Sequence, residues 1–189
     1  MARVIAGEAG GRRLAVPGGR DTRPTSDRAR EGLFATIVSM AGSLTGARVL
    51  DLYAGSGAVG LEALSRGAEH VLLVESGARA ARVIRDNIAA IGLPGAELLT
   101  DRVERVLARG PAGGRYDVVF ADPPYALPGD QVSGMLALLK DWLAPDALVI
   151  VERATRSGPL SWPAGFAADR ARRYGEATFW YARGPGKPV

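Results

Sequence analysis

The 189-residue chain contains no cysteine, which excludes disulfides and thiolate metal sites. It has a single histidine, His70, at the start of an apolar run where its neighbours read as packing rather than catalysis. Lysine is nearly absent as well, with two lysines against twenty-two arginines. No stretch approaches the roughly 18 apolar residues that a membrane helix needs. The first residues show no basic segment leading into an apolar stretch, so no secretory signal is read and a cytoplasmic location is expected. Internal repeats and low-complexity tracts are not found.

The composition that remains, 47% hydrophobic and 23% charged, suits one folded core. Charge is unevenly placed. Residues 1–30 hold seven arginines against three acids, and residues 151–189 hold seven basic groups against three acids. The middle, 31–150, has ten basic and fourteen acidic residues. Basic ends around an acidic centre fit a catalytic core whose flanks meet phosphates, although a compositional bias towards arginine produces the same count.

Five apolar, β-branched-rich runs alternate with segments of helical spacing: 47–52, 70–75, 96–99, 116–121 and 148–152. Helices are expected over 57–65, 79–91, 102–108 and 131–140. This is the pattern of an α/β sheet. The first, second and fourth runs end on or just before Asp51, Glu75 and Asp122, and strand ends are where open α/β sheets bind ligands. Outside this alternation, Arg3–Ile5 and Arg12–Val16 read as a β-hairpin. A helix capped by Ser26 or Asp27 should place Leu33, Phe34, Ile37 and Val38 on the core. A second hairpin is expected from Ala171–Tyr174 and Thr178–Ala182.

Between the first run and its helix lies Asp51-Leu52-Tyr53-Ala54-Gly55-Ser56-Gly57-Ala58-Val59-Gly60. Glycines there let backbone approach a ligand closely, and Gly55 to Gly60 matches the dinucleotide fingerprint G-x-G-x-x-G. Asp51 argues for a cation instead of a pyrophosphate, and S-adenosylmethionine carries both an ammonium and a sulfonium. Glu75 can accept hydrogen bonds from ribose hydroxyls, a role that dinucleotide sites share.

The fourth run leads into Asp122-Pro123-Pro124-Tyr125, where two prolines end the strand and stiffen the turn. The turn offers a carboxylate, the Pro123 carbonyl and an aromatic ring to one pocket. Two acceptors can take both hydrogens of a base amine, turning its lone pair towards a methyl donor, while Tyr125 stacks on the presented base. In isolation the same four residues also suit a plain proline turn.

Taken together, these residues resemble the Rossmann-like amino-methyltransferases, and more narrowly the RsmD family. The likeness runs from Arg3-Val4-Ile5-Ala6-Gly7 and Gly10-Gly11-Arg12-Arg13-Leu14 through the segment from Arg23 to Glu31 and on to the Asp122 loop, nearly the whole chain. The resemblance implies a class I methyltransferase fold, a seven-stranded mixed sheet with an added N-terminal β-hairpin. It implies S-adenosylmethionine as cofactor, and the guanine N2 amine of 16S ribosomal RNA as substrate, within the small subunit or its assembly intermediate. Residues 1–25 would form an RNA-facing extension, 26–184 the methyltransferase domain and 185–189 a tail, in a monomer.

The implied catalytic residues are Asp122, Pro123, Pro124 and Tyr125. The cofactor would be held by Asp51, Tyr53, Ala54, Gly55, Ser56, Gly57, Glu75 and Ser76, with Asp101, Arg102 and Val103 against its adenine. Arg12, Arg13, Arg23, Thr25, Arg28 and Arg30 would meet RNA, since guanidinium groups pair bidentately with phosphate. No metal is expected. The loop chemistry also admits adenine N6 of DNA or RNA, or a protein glutamine. Other classes remain open as well: an NAD(P)-dependent oxidoreductase, or an RNA-binding module with a vestigial fold.

Overall fold

The computed structural model describes residues 1–19 and 24–186. The central runs become β3 (Arg48–Leu52), β4 (His70–Val74), β5 (Ala96–Leu99), β6 (Tyr116–Ala121) and β7 (Leu143–Ala154). They alternate with α2 (Ala58–Ser65), α3 (Ala78–Ile91), α4 (Val103–Ala108) and α5 (Gly129–Leu139). Before them come β1 (Ala2–Arg3), β2 (Arg13–Leu14) and α1 (Asp27–Ala41); after them, β8 (Ala167–Tyr174) and β9 (Ala177–Arg183).

Seven strands form one mixed sheet in the order β5-β4-β3-β6-β7-β9-β8. The first five are parallel, and β9 and β8 are antiparallel additions. From β3 the chain winds outward through β4 to β5, then returns to place β6 on the other side of β3. The carboxyl ends of β3 and β6 therefore flank the topological switch point, where such sheets open a ligand crevice.

The strands read as nearly continuous apolar runs because both faces are covered. On one face Val49, Phe120 and Ile150 pack with Leu33, Phe34 and Ile37 of α1 and Leu61 of α2. On the other, Leu50, Val119 and Val149 pack with Val106 of α4 and Leu136 of α5. The α1 face holds Leu33, Phe34 and Ile37 as the spacing predicts, with Ala29 buried beside them, and Ser26 caps the helix by accepting the Ala29 N–H. Val38 departs from that expectation: it is 45% exposed, displaced one step beyond the stripe that meets the sheet.

The N-terminal hairpin is shorter than its sequence suggests, Ala2–Arg3 against Arg13–Leu14. Side chains of the main domain take the backbone groups that a longer ladder would use. The fully buried Glu62 accepts the Ile5 and Ala6 N–H groups at 2.7 and 3.0 Å, and Asn87 accepts the Ala15 N–H at 2.8 Å. Gly7 has φ +85°, and any Cβ there would lie 2.0 Å from the Ser65 carbonyl oxygen. Ala2, Val4, Ala9 and Leu14 consequently share the core of the sheet. The C-terminal hairpin is longer than expected because β9 pairs on both sides, with β7 and with β8.

Helix α2 is buried throughout, between sheet and N-terminal segment. A Cβ on Gly60 would meet Val71 Cγ1 at 2.9 Å, Leu73 Cδ2 at 3.0 Å and Asp51 Oδ2 at 3.1 Å. Gly60→Ala should therefore destabilise the fold by about 1–3 kcal/mol through overpacking. A thermal melt should show a drop of a few degrees, roughly 2–4 °C per kcal/mol for a domain of this size.

Candidate functional site

The glycine loop turns where β3 ends. Gly57 takes a left-handed conformation as the cap of α2, and Tyr53 does the same with φ 57°, unusual for a residue with a side chain. Two carboxylates hold the loop. Asp51 Oδ2 accepts the Gly60 N–H at 2.9 Å, and Glu75 accepts the N–H groups of Gly55 and Gly77, both at 2.8 Å. Asn87 of α3 adds a third tie, donating to the Ser56 and Ala15 carbonyls at 2.9 Å each.

The Asp122 loop begins one residue beyond β6. Its Asp122 N–H donates to the Leu52 carbonyl at 3.3 Å, which docks it against the end of β3. From β7, the Arg153 guanidinium donates to the carbonyls of Pro124 at 3.1 Å and Leu127 at 2.7 Å. One planar cation thus grips both limbs of the turn. Arg153→Met should loosen the loop and lower turnover by about 10- to 100-fold, the scale of a small misplacement of reacting groups. Steady-state kinetics should show this loss in kcat, with cofactor affinity nearly unchanged.

Between the two loops opens a cleft of about 910 Å³. The structure brings into it Asp51, Tyr53, Ala54, Gly55, Ser56, Glu75, Ser76, Arg102 and Val103, together with Asp122, Pro124, Tyr125 and Pro123. Gly57 shapes the turn from below and does not line the cleft. Asp101 also stays outside: it accepts the Arg102 N–H at 2.8 Å and pairs with Arg109 at 2.7 Å, and these contacts hold its carboxyl below the usual range.

The cleft is acidic, with five carboxylates and one guanidinium among its described lining residues. Burial pushes the Asp51 carboxyl up to about 8; the Gly60 amide opposes the rise and Glu75 adds to it. Asp122 is raised well above the ordinary carboxylate range, first by burial and then by the charges of Glu152 and Asp51, with Arg153 opposing. Burial and the bond to Glu104 at 2.8 Å also raise the Tyr53 hydroxyl, keeping it a neutral donor.

Of the arginines expected at RNA, Arg12, Arg13 and Arg28 are exposed. One Arg12 nitrogen bonds the Ile91 carbonyl at the end of α3. Thr25 sits at the cleft rim and donates to Glu152 at 3.2 Å. Arg23 lies outside the described residues. Arg30 is a correction: it is completely buried, bonded to the Arg3 carbonyl and to Asp27, so no phosphate reaches it. Its place on the core-facing stripe of α1, three residues before Leu33, was the available signal.

The sequence reading missed the cleft walls formed by Val16, Pro17, Glu104, Leu127 and Glu152, and the supports Asn87 and Arg153. Glu152 was within reach of the rule that selected Asp51 and Asp122, since the fifth run also ends on an acid. His70 stands at the opposite end of the sheet, near Tyr116 and Glu97.

Comparison with known proteins places this geometry among relatives. The family model described as conserved hypothetical protein 95 matches residues 2–183. Ribosomal RNA small subunit methyltransferase D of Escherichia coli strain K12 is 34% identical over 179 residues, spanning 94% of this chain and 87% of the relative. The solved structure of yhhF from Escherichia coli has a TM-score of 0.84 at 32% identity, covering 98% of both chains. A hypothetical protein of Thermus thermophilus has a TM-score of 0.79 at 33% identity, covering 96% of this chain and 98% of its own.

Proposed function

The chain belongs to the conserved hypothetical protein 95 family, the RsmD family, and on that premise we propose that it transfers a methyl group from S-adenosylmethionine to the exocyclic N2 amine of a guanine in 16S ribosomal RNA. One observation carries the reading. Asp51 and Asp122, on neighbouring strand ends at the switch point, open into the same cleft, one beside a glycine loop and the other in a rigid turn bearing Tyr125.

The donor set suits this cofactor better than a dinucleotide. Five carboxylates favour an ammonium and a sulfonium over a pyrophosphate. Asp51 is 1% exposed, and among the causes acting on its carboxyl only an amide opposes the rise, so a bound cation would relieve a buried acid. Asp51 would hold the cationic end, Glu75 and Ser76 the ribose side, and Arg102 and Val103 the adenine. When bound, S-adenosylmethionine supplies a methyl group made electrophilic by its positively charged sulfur.

The chain's own groups do the rest. Asp122 and the Pro123 carbonyl accept the two amine hydrogens, and Tyr125 stacks on the base, so the nitrogen lone pair faces the methyl carbon. As the N–C bond formed and the methyl–sulfur bond broke, its electron pair leaving on a neutral thioether, positive charge would grow on nitrogen beside the Asp122 carboxylate, which would stabilise it. The departing proton passes to an Asp122 oxygen, and the raised pKa makes that carboxylate an apt acceptor.

Residues 1–25 would present Arg12, Arg13, Arg23 and Thr25 to RNA, and Arg28 would join them from α1 in the domain spanning 26–184. The protein would act as a cytoplasmic monomer on the small subunit or its assembly intermediate. The test is mass spectrometry of nuclease-digested 16S RNA from cells with and without the gene, with labelled methyl transfer to naked RNA, small subunits and duplex DNA alongside. One N2-methylguanine lost on deletion is expected. Methyl found on adenine, on DNA or on protein would overturn the reading.

A further inference from the structure

Glu152 has no part in the mechanism above, yet it forms a wall of the cleft and is only 5% exposed. The register places it: Ala121 on β6 pairs with Val151 on β7, so Asp122, one residue past β6, and Glu152, still within β7, follow as neighbours. Strands lie about 4.8 Å apart, and the charge of Glu152 is close enough to raise the Asp122 carboxyl. Both Glu152 oxygens act as acceptors, one from Thr25 Oγ1 at 3.2 Å and the other from Tyr125 Oη at a long 3.5 Å. The carboxylate therefore presents acceptors beside the catalytic loop.

Two adjacent acceptors suit one edge of guanine. That edge carries the N1–H and the N2 amine side by side, both donors. Adenine offers an N1 lone pair in place of the N1–H. We propose that Glu152 selects guanine by accepting its N1–H while Asp122 and Pro123 accept the N2 amine. This deepens the guanine reading above and rests on it. A base with a lone pair at N1 would face a carboxylate oxygen in place of a donor, leaving two acceptors opposed. Sites built to accept a particular N–H reject analogues lacking it by large factors.

The test uses small subunits assembled from 16S RNA that carries one of three bases at the mapped target position. Guanine has both the N1–H and the N2 amine. 2-Aminopurine keeps the amine but has a bare N1 and lacks O6. 6-Thioguanine keeps the N1–H and amine but replaces O6 by sulfur. The wild-type protein should methylate guanine and 6-thioguanine within about tenfold of each other, and 2-aminopurine at least about 100-fold more slowly in kcat/KM.

Glu152→Gln can turn its amide to donate to a bare N1, and should shrink the guanine to 2-aminopurine ratio below about tenfold. Glu152→Asp should keep the ratio at a lower absolute rate. Thermal melts establish that each variant is folded. Equal use of 2-aminopurine and guanine by the wild type would overturn the proposal while leaving the guanine reading intact. So would equal rejection of 6-thioguanine and 2-aminopurine, or a ratio unchanged in Glu152→Gln. No methylation of the guanine substrate would defeat the guanine reading and this inference with it.

Discussion

Asp122→Ala should all but remove methyl transfer, with a single-turnover rate about 10²- to 10³-fold below wild type and cofactor affinity within a few-fold. Losses of this order follow when an aligned group facing developing charge is removed, about 2.7–4 kcal/mol in comparable sites. In the proposed mechanism the substitution takes away the acceptor that orients the amine, the negative charge beside the reacting nitrogen and the base that receives its proton. The surrounding turn should survive, because the Asp122 amide and the Arg153 clamp both act through backbone carbonyls. The pH dependence has a definite sign. The proposed mechanism needs the ionised carboxylate, and burial has raised its pKa, so kcat/KM should fall on the acid side with a midpoint well above the ordinary aspartate value. A variant within tenfold of wild type, measured by labelled methyl transfer, would remove Asp122 from the mechanism.

Asp51→Asn should weaken S-adenosylmethionine binding by about 100-fold or more, in line with losing a charged partner from a buried site. Yet the same change should stabilise the ligand-free protein near pH 8. A carboxyl raised from 3.8 to about 8 contributes stability that is fully present below 3.8 and is lost as pH rises through about 8. Asparagine keeps an oxygen for the Gly60 N–H and never ionises. Scanning calorimetry should therefore find the Tm of the variant above wild type at pH 8 and the gap closing towards pH 5. In the wild-type protein, binding of a cation should drive a proton off Asp51, so titration calorimetry in buffers of different ionisation enthalpy should register proton release near pH 7. Proton-neutral binding with full affinity in the variant would contradict both assignments.

The strand-end acids were legible because a parallel strand buried on both faces has an unmistakable apolar composition, and a carboxylate at its end stands out. That is why β6 was read at its full bounds, Tyr116–Ala121, and α3 within one residue. The joining of β9 to β7 could not be read from those residues, since strand pairing is a long-range choice that local pattern does not encode. Arg153 was hidden for a related reason. It acts through carbonyls of Pro124 and Leu127, and a backbone acceptor leaves no residue type to recognise. Arg30 misled in the opposite direction, because an arginine in a basic segment looks solvated until its helical face is known. Asn87 is an amide on an otherwise ordinary amphipathic helix, and only the fold reveals that it joins Ala15 to Ser56.

The fastening of the N-terminal segment sets an order for folding during synthesis. Ile5 is tied to Glu62 across 57 residues, and Ala15 to Asn87 across 72. Ala2 and Arg3 find earlier partners in β2 and α1, but the ties of Ile5 and Ala15 wait for α2 and then α3 to emerge, and such distant closures are slow. Val16 and Pro17, which line the cleft, follow directly on Ala15 and settle with its tie to Asn87. A nascent chain halted before α3 would lack the Asn87 ties to both Ala15 and Ser56, so cofactor capture belongs to a late stage of this protein's birth.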